Sequence, residues 1–513
     1  MKVLLIQLAR LGDVFQTWPT FRALQRAGAE VHVLVRPRFQ AATQGCEAIA
    51  KVHEFRTDKI LGPVLTDGKE GLVSSMASLD ELLASLTAEK FDRIVNLSFS
   101  PMSSWIAFDL EMRAFAEGRA VTSVGYSRHA DGSLAIPDDA SAYFFAQVGS
   151  RASAFPGEAL NRISLPRLFA TIAQGAVPAM ELEATDWSGP QEPGVVREEL
   201  LPVSTQHGFF AVHVGASEAE KTLDSARWAE IAARVMQASG SSVLLLGSQD
   251  ETEKGREIAR LMSESYGISE SKIVNAVGRT KVGDVFPLLK HAALLIAGDS
   301  ALVHMASLVG TRVLNLSSRT VSHWETGPLS KGSRVVVYGG AGPQMDTVIR
   351  EATAMLTGGS DFSADREVQG PLEEIASKTD DAYSDFLWSF VSGLYMGTEF
   401  AVPQDGKLLT ALQQWIETAE IEAVQLEALK RVEESSTITS ILERVDEVTA
   451  LICEAEPRLA PLYRWLTTER SRVGPQAKEA VIDRYLAINA QLSIVLKNLY
   501  SQGAINDRHE LEL

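Results

Sequence analysis

The residues best able to do chemistry in this chain stand in short polar turns that follow apolar runs. Gly298-Asp299-Ser300 comes after the run at 294–297 and opens a helix over 301–309. His304 lies four residues past Ser300, on the same helix face and one turn in. A helix beginning at Ser300 points its free N–H groups and the positive end of its dipole into the turn, which makes an anion site. Asp299 and Ser300 are equally the residue types that cap helices, so the turn taken alone reads either way. Gly12-Asp13 follows the first apolar run; the glycine lets backbone approach a ligand, and the carboxylate serves as a general base on a hydroxyl or as a helix cap. The small-residue loop at 214–217 ends in Ser217, and Lys221 follows, a combination that suits a phosphate unless Lys221 is merely solvated. Glu251 closes the turn that starts at Gly247, where an acid binds ribose hydroxyls in nucleotide folds or else sits in a first helical turn. The segment from Ser322 to Pro328, with His323 and Trp324, reads as a sugar contact or as an ordinary surface loop.

Each of these turns needs a strand before it and a helix after it. The chain supplies that pattern twice. Apolar runs at 3–8, 31–35, 91–97 and 120–126 alternate with helical periodicity at 14–26 and 78–89, giving a first Rossmann-like domain over 1–182. Residues 183–207, rich in Pro, Gly and acids, read as a linker. A second series over 208–344 places strands at 209–214, 243–246, 273–275, 294–297, 312–316 and 334–338, with amphipathic helices between them. Beyond residue 345 no strand-like run returns. Segments at 372–396, 408–432, 438–453, 459–470 and 476–500 carry helical spacing, so 345–513 reads as an all-helical bundle with Trp388, Tyr395, Trp415 and Trp465 as core aromatics.

With 513 residues the chain exceeds one core, and its 45% hydrophobic and 22% charged content is that of a globular protein. The net charge of −18 argues against a nucleic-acid binder. Residues 345–513 hold 29 Asp/Glu against 15 Lys/Arg, whereas residues 1–59 hold 9 Lys/Arg against 5 Asp/Glu, so an anionic acceptor or membrane surface could be met at that basic end. Cys46 and Cys453 form no metal-ligand pattern, and no signal peptide or membrane span is legible, which points to the cytoplasm.

Taken together, the order and spacing of these turns resemble glycosyltransferase family 9, the heptosyltransferases of lipopolysaccharide core assembly. The resemblance rests on VLLIQLARLGDVFQTWPTFRAL near the start, then on HVGAS with Lys221, LLLGSQDE, the stretch from Asn275 to Thr311, and Thr326 to Pro328. It implies a GT-B fold, two facing Rossmann-like domains. It also implies an inverting, metal-independent transfer of a heptose from a nucleotide sugar such as ADP-heptose to a lipopolysaccharide-core or other cell-surface glycan, at the cytoplasmic face of the inner membrane. No cofactor is implied, because the helix dipole and Lys221 would stabilise the leaving diphosphate. Residue by residue, Asp13 matches the family's acceptor base beside Gly12. Ser217 and Lys221 fall in the phosphate loop, Glu251 matches the ribose acid, and Thr280 borders the adenine. Asp299, Ser300, Ala301, Leu302 and His304 match the diphosphate motif. The chain departs from the family pattern at Thr222-Leu223-Asp224 after Lys221, at Ala301 in place of a glycine, and at Ser317 to Thr320. These departures leave open another nucleotide sugar or a protein acceptor. A non-catalytic GT-B scaffold is the remaining alternative. The helical region, outside the resemblance, could pack on the catalytic domains, self-associate or take a protein partner.

Overall fold

Apolar runs between turn residues become the strands of parallel sheets, as expected for segments buried on both faces. The computed structural model describes residues 1–148, 161–175, 182–191, 197–202, 208–215, 223–359, 363–370, 376–377, 382–403 and 405–510. Its contacts divide the chain into two units, one of residues 1–85, 163–170 and 181–380, the other of residues 86–162, 171–180 and 381–513.

In the first unit, Lys2–Ile6 pairs in parallel with Glu30–Val35, which pairs in parallel with Ile49–Glu54. The helical periodicity after the first strand resolves into two helices, Leu11–Gln16 and Trp18–Arg26. Pro19 stands in the first turn of the second helix, where its missing N–H costs nothing; within one continuous helix it would clash with the preceding turn. Trp18 is fully buried, donates its indole N–H to the Ala42 carbonyl at 2.8 Å, and packs with Phe15 and Phe286. The linker region is not a bare tether: Arg26 pairs with Asp186 at 2.7 Å and Arg22 donates to the Gly189 carbonyl at 3.0 Å.

The second sheet of this unit runs in the order Ile273–Asn275, Ser242–Leu246, Phe209–His213, Leu295–Gly298, Val313–Ser318 and Arg334–Tyr338, all parallel. Strand order reverses between Phe209–His213 and Leu295–Gly298, the place where open α/β sheets bind ligands. Contrary to the strand-free reading after residue 345, Arg366–Glu367 and Ala376–Ser377 extend the sheet as short antiparallel strands. Two-residue strands hold too little alternation to be legible. Helix Met345–Thr357 also belongs to this unit, fixed by a buried pair at 2.9 Å between Arg334 and Glu351. The all-helical region therefore starts at Ala382.

In the second unit, Arg93–Asn96 pairs in parallel with Thr122–Gly125. Helices Ala382–Met396, Gly406–Lys430, Ser436–Ala455, Ala460–Ser471 and Lys478–Glu510 share a core of Leu412, Trp415, Leu492 and Leu496. Of the four aromatics expected in a bundle core, Trp415 is there, and Trp465 packs partly buried against it. Trp388 is half-buried, and Tyr395 meets Tyr143 of helix Asp139–Gln147 edge to face. Arg472 reaches Asp139 at 2.9 Å and Arg162 reaches Asp385 at 2.6 Å. Among its expected roles, the helical region packs on residues of the N-terminal half. Cys46 and Cys453 are buried and free.

Removing one partner of a buried ion pair strands the other, so Glu351→Ala is expected to destabilise the fold by about 3–5 kcal/mol. A urea-unfolding midpoint that does not move would contradict this account of helix Met345–Thr357.

Candidate active site

The turn at Gly298 to Ser300 carries an open helix start. Ser300 occupies the N-cap position of helix Ala301–Leu308 in an extended conformation, yet its side chain makes no capping bond. Its Oγ is buried and unpartnered among the described residues. Both carboxylate oxygens of Asp299 accept from the Ser317 hydroxyl, at 3.2 and 3.4 Å. Of the first-turn N–H groups, that of Val303 meets the Ser300 carbonyl at 3.1 Å, and the Ser300 side chain caps none of them.

A cavity of about 710 Å³ in the first unit collects most of the residues singled out in the sequence. Gly12, Asp13, Glu251, Thr280, Asp299, Ser300, Ala301, Leu302 and His304 all line it. Ser217 and Lys221 lie outside the described residues. Gly12 and Asp13 do not precede the first helix as expected but stand inside its first turn, because Arg10 takes the N-cap place. A Cβ on Gly12 would sit 3.1 Å from Cδ2 of His304, so a side chain there would push the imidazole by a few tenths of an ångström, and glycine leaves it in place. Burial lowers the His304 pKa to about 4 and keeps the ring neutral.

Asp13 caps the first helix and also borders the cavity. One carboxylate oxygen accepts the Arg10 backbone N–H at 2.9 Å, as a capping residue would, while the side chain also borders the cavity. Burial raises its pKa against the opposing pull of that N–H and of the Arg10 charge, which strengthens it as a base. Glu251 is also a cap: it accepts from the Ser248 N–H at 2.6 Å and hydroxyl at 2.9 Å. Its other oxygen stands only 1.5 Å from where a Cβ on Gly215 would be, so Gly215 makes room for it.

Sequence reasoning missed several lining residues. Arg10, Arg36, Arg38 and Lys281 add positive charge to the cavity, and the basic excess of residues 1–59 was the available signal for the three arginines. His213 lines the cavity too, at the end of a run that otherwise reads as plain strand. The segment around His323 and Trp324 is not an ordinary surface loop. The Arg366 guanidinium lies on the Trp324 ring, Ser322 and Glu325 are buried, and only Val321 and Thr326 of this region reach the cavity. Among the described residues the cavity holds no close trio of His, Cys, Asp or Glu side chains arranged around a metal position. What it offers is an open helix start, four cations and two neutral imidazoles, a setting for a phosphate-bearing ligand.

Both cavity histidines titrate near 4 when folded and near 6.5 when unfolded. Between those values the unfolded chain binds more protons, so stability should fall as pH drops from 6.5 towards 4. Asp13, raised on folding, works in the opposite sense. In His304→Gln the urea midpoint should fall less steeply over this window than in the wild type. An identical slope would mean that His304 is not held neutral by the fold.

No curated protein matches the sequence. Among solved structures, E. coli ADP-heptose lipopolysaccharide heptosyltransferase II is similar at 17% identity, over 70% of this chain and 100% of that one, with a TM-score of 0.47. A glycosyl transferase family 9 protein of Veillonella parvula is similar at 16% identity over 70% and 97%, TM-score 0.46. An E. coli heptosyltransferase solved with ADP is similar at 14% over 67% and 95%, TM-score 0.45. In the sequence itself, residues 183–353 match the model of glycosyltransferase family 9 (heptosyltransferase). That stretch contains the open helix start, Glu251 and both cavity histidines. Residues 183–353 are therefore similar to a domain of glycosyltransferase family 9, in a chain that has parallel α/β sheets and an all-helical C-terminal region.

Proposed function

We propose that the protein transfers a heptose or related sugar from a nucleoside-diphosphate sugar to a glycan hydroxyl, with inversion and without a metal. The observation that carries the reading is the uncapped start of helix Ala301–Leu308, with Ser300 and His304, in the same cavity as Asp13. In this reading the diphosphate takes the first-turn N–H groups, whose dipole favours the charge that grows as the sugar leaves. Asp13 removes the acceptor hydroxyl proton as that oxygen attacks the anomeric carbon, and burial suits its carboxylate to the task. His304, neutral, adds a hydrogen bond rather than a charge. Lys221 supplies a further cation to the diphosphate, Glu251 holds the ribose, and Thr280 borders the base.

ADP-heptose is the donor this reading favours, since the E. coli heptosyltransferase II similar to this chain is described with it. The acceptor is a lipopolysaccharide-core or other cell-surface glycan met at the cytoplasmic side of the membrane, and the arginines at residues 10, 36 and 38 suit it to an anionic partner. Among the described residues no helix is long and apolar enough to cross a membrane.

The test is transfer from ADP-heptose to a core glycan, run beside Asp13→Asn. Asparagine still accepts the Arg10 N–H and so keeps the cap. Turnover should fall by roughly 10²–10⁴ while ADP affinity in calorimetry stays within about twofold. Failure of the folded wild type to bind ADP, UDP or any sugar nucleotide would sink the reading. Retained turnover in Asp13→Asn would remove Asp13 as the base.

A further inference from the structure

Strand Phe209–His213 is the central strand of the second sheet, and its last residue is polar. His213 pairs in register with Leu246 on one side and with Ala297 on the other. It therefore stands between the two turns that bear Glu251 and Ser300, at the point where strand order reverses. The side chain lines the cavity, is only 8% exposed, and leaves its buried Nδ1 without a hydrogen-bond partner among the described residues. A buried polar atom without a partner is disfavoured in the free protein. A histidine that merely filled the core would be expected to have one. An apolar side chain, such as Val212 beside it, would be the cheaper filler.

We propose that His213 is a donor-binding residue, its imidazole hydrogen-bonding the nucleoside-diphosphate part of the nucleotide sugar between the Glu251 wall and the helix start at Ser300. The inference rests on the glycosyltransferase reading above and adds a contact to it. Burial holds the ring neutral, with a pKa of about 4, against the opposing influence of the Glu251 carboxylate. His213 therefore contributes direction and fit, while the helix start and the cavity cations supply the charge.

The test compares wild type, His213→Leu and His213→Asn as full chains, by calorimetric titration with ADP and with UDP and by thermal unfolding without ligand. Wild type should bind at least one of the two nucleotides. His213→Leu should bind it at least tenfold more weakly while its Tm is equal or higher, because an unpaired polar atom has gone. His213→Asn should recover most of the affinity. Affinity in His213→Leu within twofold of wild type overturns the proposal, and a lowered Tm with unchanged affinity assigns the residue a structural role instead. If His213→Leu does not fold, His213→Ala against His213→Asn is judged by the same thresholds. A wild type that binds neither nucleotide overturns this proposal together with the reading beneath it, whereas a wild type that binds, beside a His213→Leu that binds as well, overturns the proposal alone.

Discussion

The site is arranged around the start of helix Ala301–Leu308, whose N-cap Ser300 makes no side-chain capping bond. The Ser300 side chain makes no bond to the first turn of Ala301–Leu308, although serine is a residue type that usually does. The Asp299 carboxylate is drawn aside by Ser317 on the neighbouring strand, and the Ser300 hydroxyl is buried without a partner. A helix start of this kind suits a ligand that brings negative charge. The cations of Arg10, Arg36, Arg38 and Lys281 around the same cavity agree with it.

The remaining parts keep that end in place. Leu295–Gly298 leads into the turn from the middle of a parallel sheet whose central strands, Ser242–Leu246, Phe209–His213 and Leu295–Gly298, are buried, so the turn starts from a rigid edge. Gly12 lets the first helix of the chain come against His304, which brings Asp13 to the cavity that the helix start faces. Gly215 does the same for Glu251. In each case a missing Cβ decides whether a polar side chain can enter. The aromatic group of Phe15, Trp18 and Phe286 packs beside this arrangement and ties the first helices of the chain to helix Val282–His291.

Much of this was legible because parallel strands buried on both faces read as short apolar runs, and the turns after them stood out as Gly with Asp, Ser or Glu. The strands at 209–213, 242–246 and 295–298 follow from that signal alone. Asp13 was legible as a residue, but its place inside a helix was not, because arginine is an unusual N-cap and Arg10 gave no warning. His213 was hidden in a run that periodicity assigns to the core, and its position at the end of the central strand becomes meaningful only once the strand order is known. The docking of helices Ala382–Met396 and Ala460–Ser471 on residues near 140 and 160 depends on long-range pairs such as Arg472 with Asp139, which no local spacing records. The change from sheet to helices was misjudged for a similar reason: the segment between Met345 and Ser377 is fixed by the Arg334–Glu351 pair and by two very short strands.

The most direct test of the account is a crystal structure of the full chain with ADP. The account predicts diphosphate oxygens within about 3 Å of the backbone N–H groups at the start of helix Ala301–Leu308, the usual distance for such hydrogen bonds. A nucleotide bound with its diphosphate away from that helix start, and with those N–H groups still open, would contradict it.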